Sequence, residues 1–407
     1  MHQSITDDNH PPPAKCDYEQ HIDLSIQWTR RLLKPMGLWP SSYTTPKLKK
    51  YFFRFLNIVC CGLLTLHFIP TTMYIFLELE DVYSMLKEFG PLVFGLTSMA
   101  KYYALIVHAA EIRECVKRIE WDWKNITYND DRDIMLANAN FGRRMVILCT
   151  FFMYSGFIFY DIAIPSIDRI TAEDDNITYN LPFSKYIIDT QYSPANEIVY
   201  GIQLVTAALE HSIASASCGL AASLAIHSCG QMQVLMNWLN YLIDYRSDMS
   251  NNVDSRIEKI VSQHVRILKF VALTEKTLQQ VSFAEFLGCT LDICLIGYYV
   301  IMETKSNDYT NVVTYVVLLI SFTLNIFIFC YIGEIVAEHC RKIGEMSYMI
   351  EWYRLPGNKK LCCVMIIAMS NSTTTLTAGK MVELSISTFA DVVKTSVAFL
   401  NVLRATT

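Results

Sequence analysis

The chain has 407 residues, of which 52% are hydrophobic and 18% charged, and its formal net charge is −5. One soluble domain cannot hide that much apolar surface, so the composition indicates a polytopic membrane protein surrounded by membrane lipid. The chain contains no HExxH, GxSxG, phosphate-loop or Cys-x-x-Cys motif. We therefore expect no enzymatic activity, no catalytic residue, no metal and no cofactor, and we expect no nucleic-acid partner.

Seven runs of mostly apolar residues follow one another along the chain, and each is long enough to cross a membrane as a helix. They lie near residues 51–77, 88–108, 145–167, 198–226, 283–302, 311–333 and 381–403. The predicted fold is therefore all-α, with seven transmembrane helices. Residues 1–50 are polar and contain no apolar core of a cleavable signal, so the first span must itself act as the insertion signal.

The distribution of positive charge predicts the orientation, because Lys and Arg stay on the cytoplasmic side of a membrane. Most of them lie in the first fifty residues and in the loops after spans two, four and six. The other loops and the C-terminus hold only Lys87, Arg169, Lys185, Lys305 and Arg404. We expect the N-terminus inside and the C-terminus outside, which is the reverse of a G-protein-coupled receptor.

The predicted outer loops contain none of the 13 cysteines, so the sequence implies no disulfide framework on that side. One outer loop carries the sequon Asn176-Ile177-Thr178, which is an acceptor for an N-linked glycan.

Apolar residues recur at helical spacing well beyond spans four, five and six, and such stripes need packing partners. A short helix over Leu361 to Met369 supplies one, so we expect a compact helical bundle on the cytoplasmic side. The resulting division is a cytoplasmic segment 1–50, transmembrane helices one to six within 51–230 and 283–333, cytoplasmic anchor helices at 231–282 and 334–380, and a last helix at 381–403.

The seventh span has one polar face. On a helical wheel at about 100° per residue, six residues fall within about 40° of one line, with Lys394 beside it: Ser387, Asp391, Thr395, Ala398, Val402 and Ala405. Such a face is expected of a helix that lines an ion path when several copies surround an axis. The alternative is a helix buried within the protomer, in which Asp391 pairs with Lys394 at i, i+3.

The run from Thr374 to Ser396, TTLTAGKMVELSISTFADVVKTS, resembles the C-terminal signature of insect odorant receptors. Span count, orientation, chain length and long inner helices extend the resemblance over essentially the whole chain. It implies an odorant-gated, nonselective cation channel in the plasma membrane of olfactory sensory neurons. In this family a variable odorant-binding subunit and a shared co-receptor form a heterotetramer, and the last helix lines the pore.

The family pattern implies a polar pore-facing site at Asp391 and an outer gate at Phe399, Val402 and Thr406. Thr406 departs from the pattern, because the co-receptor has apolar residues at its gate. The long insertion between spans four and five that marks the co-receptor is absent here. Gustatory receptors carry Thr-Tyr followed five residues later by Gln-Phe. Here Thr388-Phe389 is followed by Thr395-Ser396, so the second half of that motif is missing. We therefore interpret the chain as a ligand-tuning subunit. A gustatory-type receptor and a non-conducting receptor or transporter of the same topology are the alternatives, although the sequence has no internal repeat typical of many transporters.

The odorant site is expected to be a mostly apolar cavity for a small volatile hydrophobic ligand, near the outer halves of the spans. The candidate residues are Phe89, Val93, Phe94, Tyr154, Phe157, Tyr160, Tyr200, Leu204, Tyr315 and Phe322. The alternative for each is ordinary helix packing. Four ionisable residues also lie within spans, and each is either functional or paired structurally: Lys101, Glu210, His211 and Asp292.

Overall fold

The computed structural model describes residues 15–40, 46–171, 179, 181–183, 185, 187–188, 190, 193–244, 252–306, 308–371 and 375–406. The side chains of residues 15–17, 168, 171 and 404–406 are outside this description, and so is the sequon at Asn176. The helices are α1 Lys15–Leu33, α2 Lys47–Leu77, α3 Val82–Val107, α4 Ala109–Lys124, α5 Asn129–Phe157, α6 Ile164–Thr171, α7 Ala195–Asn240, α8 Val253–Ser306, α9 Tyr309–Met349, α10 Lys360–Asn371 and α11 Ile386–Thr406.

Seven of the helical segments in the described part of the chain are long and apolar enough to cross a membrane. They are α2, α3, α5 with its continuation to Ile167, α7, α8, α9 and α11. The predicted all-α fold with seven membrane helices is confirmed. Several helices are much longer than their apolar runs: α8 has 54 residues, which is roughly 80 Å at 1.5 Å per residue.

Helix α7 is the centre of the bundle, because its most apolar 18-residue window is completely buried. Small residues allow close approach there. A Cβ added at Gly219 would lie 3.1 Å from Val146 of α5, and one added at Gly142 of α5 would lie 3.4 Å from Ile226. Helix α2 is the opposite case, with 11% of its apolar window buried, as expected of a helix that faces lipid.

The ends of α7, α8 and α9 continue into a second bundle, which α10 completes. The Gln263 amide donates to the Gln231 oxygen over 2.5 Å, and Gln233 contacts His339 over 2.9 Å. On the α10 side, the Ser370 hydroxyl lies 3.4 Å from the His264 ring. The sequence predicted this arrangement of helices, and its place in the cytoplasm stays a prediction.

Two helices, α1 and α4, were not predicted. The polar N-terminal segment forms α1, which packs against α5 and α7. The Thr29 hydroxyl of α1 donates to the Gly219 carbonyl of α7 over 3.1 Å. Helix α4 joins this layer, since the Trp123 indole donates to Ser25 of α1 over 3.0 Å. On another face of α4, Lys276 of α8 donates to Glu111 over 2.8 Å, and this bond holds the pKa of Glu111 below its usual range.

The prediction that the last helix begins near residue 381 was wrong, because residues 377–383 form a small antiparallel hairpin. Its strands are β1 Thr377–Ala378 and β2 Val382–Glu383. Gly379 and Lys380 between them have φ of 63° and 60°, a left-handed conformation that interrupts regular structure. Helix α11 therefore begins at Ile386.

Helix α8 holds the hairpin through its backbone. The Gly379 amide donates to the Gln279 carbonyl, and the Thr377 amide donates to the Glu275 carboxylate, both over 2.8 Å. Helix α9 supports the start of α11, where Glu334 accepts a hydrogen bond from the Ile386 amide over 3.1 Å. The hairpin thus fixes the position of the start of α11 relative to α8 and α9.

Replacing Gly333 of α9 by Ala should destabilise this junction, because the added Cβ would lie 2.2 Å from the Leu384 carbonyl oxygen. A backbone atom cannot move aside as a flexible side chain does, so we expect a loss of about 1–3 kcal/mol. The measurement is the melting temperature of the detergent-solubilised protein. Gly62→Ala on α2 is the control, since its Cβ would meet nothing within 4 Å. Equal melting temperatures for the two variants would contradict the close approach.

Candidate functional site

An internal cavity of about 650 Å³ lies among α3, α7, α8, α9 and the end of the α5 segment. Six of the residues proposed from sequence line it: Phe94, Tyr160, Tyr200, Leu204, Tyr315 and Phe322. Aromatic pairs form much of the wall. Phe94 packs edge-on against Phe322 with ring centres 5.3 Å apart, and the rings of Tyr160 and Tyr315 are 6.4 Å apart.

The other four proposed residues do not line the cavity. On α3, Gly90, Pro91 and Phe94 face it, and the neighbouring positions Phe89 and Val93 point elsewhere. On α5, the Tyr154 hydroxyl lies 2.6 Å from that of Ser212. The Phe157 ring packs 5.6 Å from His211, whose own ring does reach the cavity.

A π-helical turn over Ile158–Ala163 follows α5, after Tyr154 and Phe157. Such a turn inserts an extra residue and rotates everything after it, and it is frequent at functional sites. Here it directs the adjacent residues Tyr160 and Asp161 both toward the cavity. A regular helix would separate adjacent side chains by about 100°. Nothing in the apolar periodicity marks this turn.

Of the four ionisable residues predicted within the spans, Lys101 and Glu210 have ionisable partners. Lys101 of α3 donates to Glu285 of α8 over 2.9 Å, and each side chain is only 2% exposed. Asn325 of α9 donates to the second oxygen of the same carboxylate over 2.5 Å. At the cavity, Glu210 of α7 contacts the His67 ring of α2 over 3.1 Å. Both are paired structurally.

Helix α11 packs with one face on its own protomer and leaves the other uncovered. Val392 and Ser396 are buried, and the Ser396 hydroxyl donates to the Thr290 carbonyl of α8 over 3.0 Å. The uncovered face carries Ser387, Asp391, Lys394, Thr395, Ala398, Phe399 and Val402, and the side chain of Thr406 is outside the described residues. These are the residues that the sequence proposed for the pore and its gate.

The alternative in which Asp391 and Lys394 hide within the protomer was wrong. They lie 3.6 Å apart, but their side chains are 68% and 77% exposed. A pair this exposed contributes little to stability. Burial within the protomer therefore does not account for the two charges in this membrane helix.

Comparison with known proteins decides the family. A family model described as 7tm Odorant receptor matches residues 81–397, which is most of the chain. The chain belongs to the odorant receptor family. The resemblance seen at its C-terminal end is thereby confirmed at the level of the family.

Individual relatives of this odorant receptor are distant. Odorant receptor 10 of Aedes albopictus is 23% identical over 227 residues, which is 55% of this chain and 60% of that protein. Odorant receptor 85b of Drosophila melanogaster is 26% identical over 161 residues, 40% of this chain and 39% of the relative. The matches thus span less than two thirds of these relatives.

Solved structures show the same fold. The insect olfactory receptor OR5 from Machilis hrabei in complex with eugenol superposes with a TM-score of 0.78 at 16% identity. That superposition covers 96% of this chain and 100% of the other. Without the ligand, the same receptor gives a TM-score of 0.75 at 17% identity.

Replacing Lys101 by Met should strongly destabilise this odorant receptor, because it leaves Glu285 as an uncompensated buried charge. Breaking a buried pair from one side costs about 3–5 kcal/mol. The double variant Lys101→Met with Glu285→Met should recover part of the loss. The measurement is the melting temperature and the amount of protein at the cell surface.

Lys342→Met on α9 is the control for that experiment. It breaks the exposed pair of Lys342 with Glu338, whose charged atoms are 2.7 Å apart, and should cost less than about 1 kcal/mol. If the two single variants melt alike, the Lys101 pair is not structural.

Proposed function

We propose that this chain is the odorant-binding subunit of a heteromeric, odorant-gated, nonselective cation channel. Its partners are co-receptor subunits in a heterotetramer, and its place is the plasma membrane of olfactory sensory neurons, with the N-terminus inside. The ligand is a small volatile molecule. One observation carries the proposal: residues of a single protomer line a whole ligand cavity, whereas its charged α11 face is left open for neighbouring subunits.

The cavity is suited to such a ligand in size and lining. Small-molecule sites typically measure about 300–1,000 Å³ and combine apolar walls with a few polar groups. The cavity of about 650 Å³ has aromatic walls and lies among helices, separate from the α11 face. Eugenol, the ligand in the solved OR5 complex, is a molecule of the size class that this cavity would hold.

Helix α8 gives the cavity a direct mechanical connection to α11. Asp292 and Tyr299 on one face of α8 line the cavity. On another face, Thr290 accepts the hydrogen bond from Ser396, and a Cβ added at Gly297 would lie 2.8 Å from Leu400 of α11. A ligand that binds better to one position of α8 therefore also favours one position of α11.

Exposed apolar side chains support assembly with other subunits. Leu361, Val364 and Met365 of α10 and Phe399 of α11 are each at least half exposed in the protomer. Lipid can cover the exposed residues of α2, but α10 lies in the second bundle, where water would otherwise meet an apolar face. Neighbouring subunits packed around the α11 face would cover the exposed apolar residues of both α10 and α11.

Cells that lack odorant receptors should conduct cations on odorant application when they express this chain with the co-receptor. Ala207→Phe should abolish or weaken the response at least about tenfold, because Ala207 lines the cavity and a Phe ring would fill it. The measurement is whole-cell current against ligand concentration. Ile202→Phe is the control, since that side chain of α7 faces outward and is 40% exposed. Normal responses from Ala207→Phe would place the ligand elsewhere, and silence of every pairing would favour a non-conducting receptor or transporter.

Val402→Ser should raise the current in the absence of odorant, because a polar side chain at a narrow apolar gate favours a hydrated, open pore. Val397→Ser is the control, since Val397 is also exposed on α11 but lies about 140° away on the helical wheel. The measurement is basal current normalised to surface expression. An unchanged basal current with Val402→Ser would exclude Val402 as the gate.

A further inference from the structure

The cavity contains more carboxylates than an apolar odorant requires. Its lining includes Glu88, Asp161, Glu210 and Asp292. Glu210 contacts His67, as described above. Among the residues that the structure describes, the carboxylates of Glu88, Asp161 and Asp292 form no hydrogen bond or ion pair. Three acidic side chains therefore face the cavity without a direct partner.

Several polar atoms at the cavity wall also lack partners. The Oδ2 atom of Asp161, the Nε2 atom of Gln203 and the hydroxyl of Tyr299 are buried and form no hydrogen bond. Tyr299 is only 2% exposed. Buried polar groups in native proteins are nearly always satisfied, and leaving one unpaired is costly. Unpaired atoms at the wall of a large cavity indicate a ligand that supplies the missing bonds.

The cations around the cavity are mostly engaged elsewhere. Arg169 donates to the Tyr179 hydroxyl over 2.7 Å and stacks over its ring at 4.8 Å. Lys101 of α3 is already bound to Glu285. The His67 ring is the only imidazole in the described lining in contact with a carboxylate, and that carboxylate is Glu210. Lys87 is left beside Glu88. Among the described residues, no Lys or Arg forms an ion pair with Asp161.

Tyrosine rings surround the same end of the cavity. Tyr160, which precedes Asp161 on the π turn, has its ring 6.4 Å from that of Tyr315. Tyr315 lies 5.5 Å from Tyr299, whose hydroxyl is unpaired. Aromatic faces attract ammonium groups electrostatically, and cages of such rings are a known way to bind them. A carboxylate next to several tyrosines is therefore suited to an organic cation.

We propose that the cavity selects small volatile amines, with the protonated nitrogen bound by Asp161, the carbon skeleton against Tyr160, Tyr299 and Tyr315, and Glu88 adding negative charge to the cavity. The inference rests on the proposed function and names the ligand class of the same cavity. An ammonium group donates charge-assisted hydrogen bonds to a carboxylate and balances its charge, which a neutral odorant of equal shape cannot do. An acidic odorant would add to the repulsion among the carboxylates.

The test compares amines with alcohols of matched shape: 2-phenylethylamine with 2-phenylethanol, and cyclohexylamine with cyclohexanol. Current is recorded from cells that express the chain with the co-receptor, and thermal stabilisation of the purified chain gives an independent measure of binding. A hydrogen bond to a charged group predicts that each amine is at least about tenfold more potent than its alcohol. Equal potency, or preference for the alcohol, would overturn the amine assignment.

Asp161→Asn and Glu88→Gln should each reduce the amine preference at least about fivefold and change the alcohol response little. Two variants are used because Asp161 lies on the π turn, where a replacement risks misfolding. Glu197→Gln is the control, since Glu197 is an exposed carboxylate of α7 away from the cavity lining. An amine preference that survives both variants would also overturn the proposal.

The two readouts separate this inference from the proposed function. Currents to neutral odorants without amine preference would leave the channel intact and exclude the amine site. Selective stabilisation by amines without any current would support the amine site and contradict the channel. Absence of both responses would contradict both.

Discussion

Lys101 and Glu285 meet inside an apolar bundle, where an isolated charge would be too costly to persist. Because Asn325 binds the same carboxylate, the pair fixes α3, α8 and α9 in one relative position. A slip of one residue along α3 would turn Lys101 away by about 100° and leave Glu285 alone. Asp292 lies about two turns farther along α8 and lines the cavity. The position of the cavity walls thus depends on this charge pairing.

The Lys101–Glu285 pair also fixes the position of α8, the helix that connects the cavity, the hairpin and α11. Its N-terminal half belongs to the second bundle and holds the hairpin through Gln279 and Glu275. Its C-terminal half lines the cavity and contacts α11. Ligand cavity, hairpin and α11 are therefore attached to one continuous helix, with no flexible linker within its length. The proposed gating needs only a small displacement of α8, because every element involved touches it directly.

The sequence was most informative where hydrophobicity decides the outcome. Seven apolar runs predicted seven membrane helices, and the polar stripe on the last span matches the face that the protomer leaves uncovered. Helices α1 and α4 were missed, because a partly polar helix that packs through one side carries no run of apolar residues. The hairpin was missed because two-residue strands have no periodicity, and its backbone bonds to α8 join residues about a hundred positions apart.

Within the cavity, residue type was easier to predict than direction. Aromatic residues on the right helices were identified, and six of ten line the cavity. Tyr154 and Phe157 precede the π turn and lie on a face of α5 that packs against other helices. The turn brings Tyr160 and Asp161 to the cavity, and no local pattern reveals such a turn. The partners of Lys101 and Glu210 lie on helices distant in sequence, so these pairs could not be predicted from the amino-acid sequence. The acidic lining of the cavity, with Glu88 and Asp161, became visible only when separate helices were brought together.

The length of α8 makes it a lever. A rigid rod of roughly 80 Å that turns by about 5° around its middle moves each end by about 3.5 Å. That displacement is comparable to the radius of a partly hydrated ion, although the rotation would barely disturb side-chain packing near the pivot. A small molecule wedged at one end of the rod can therefore produce a motion of the same size at the other end.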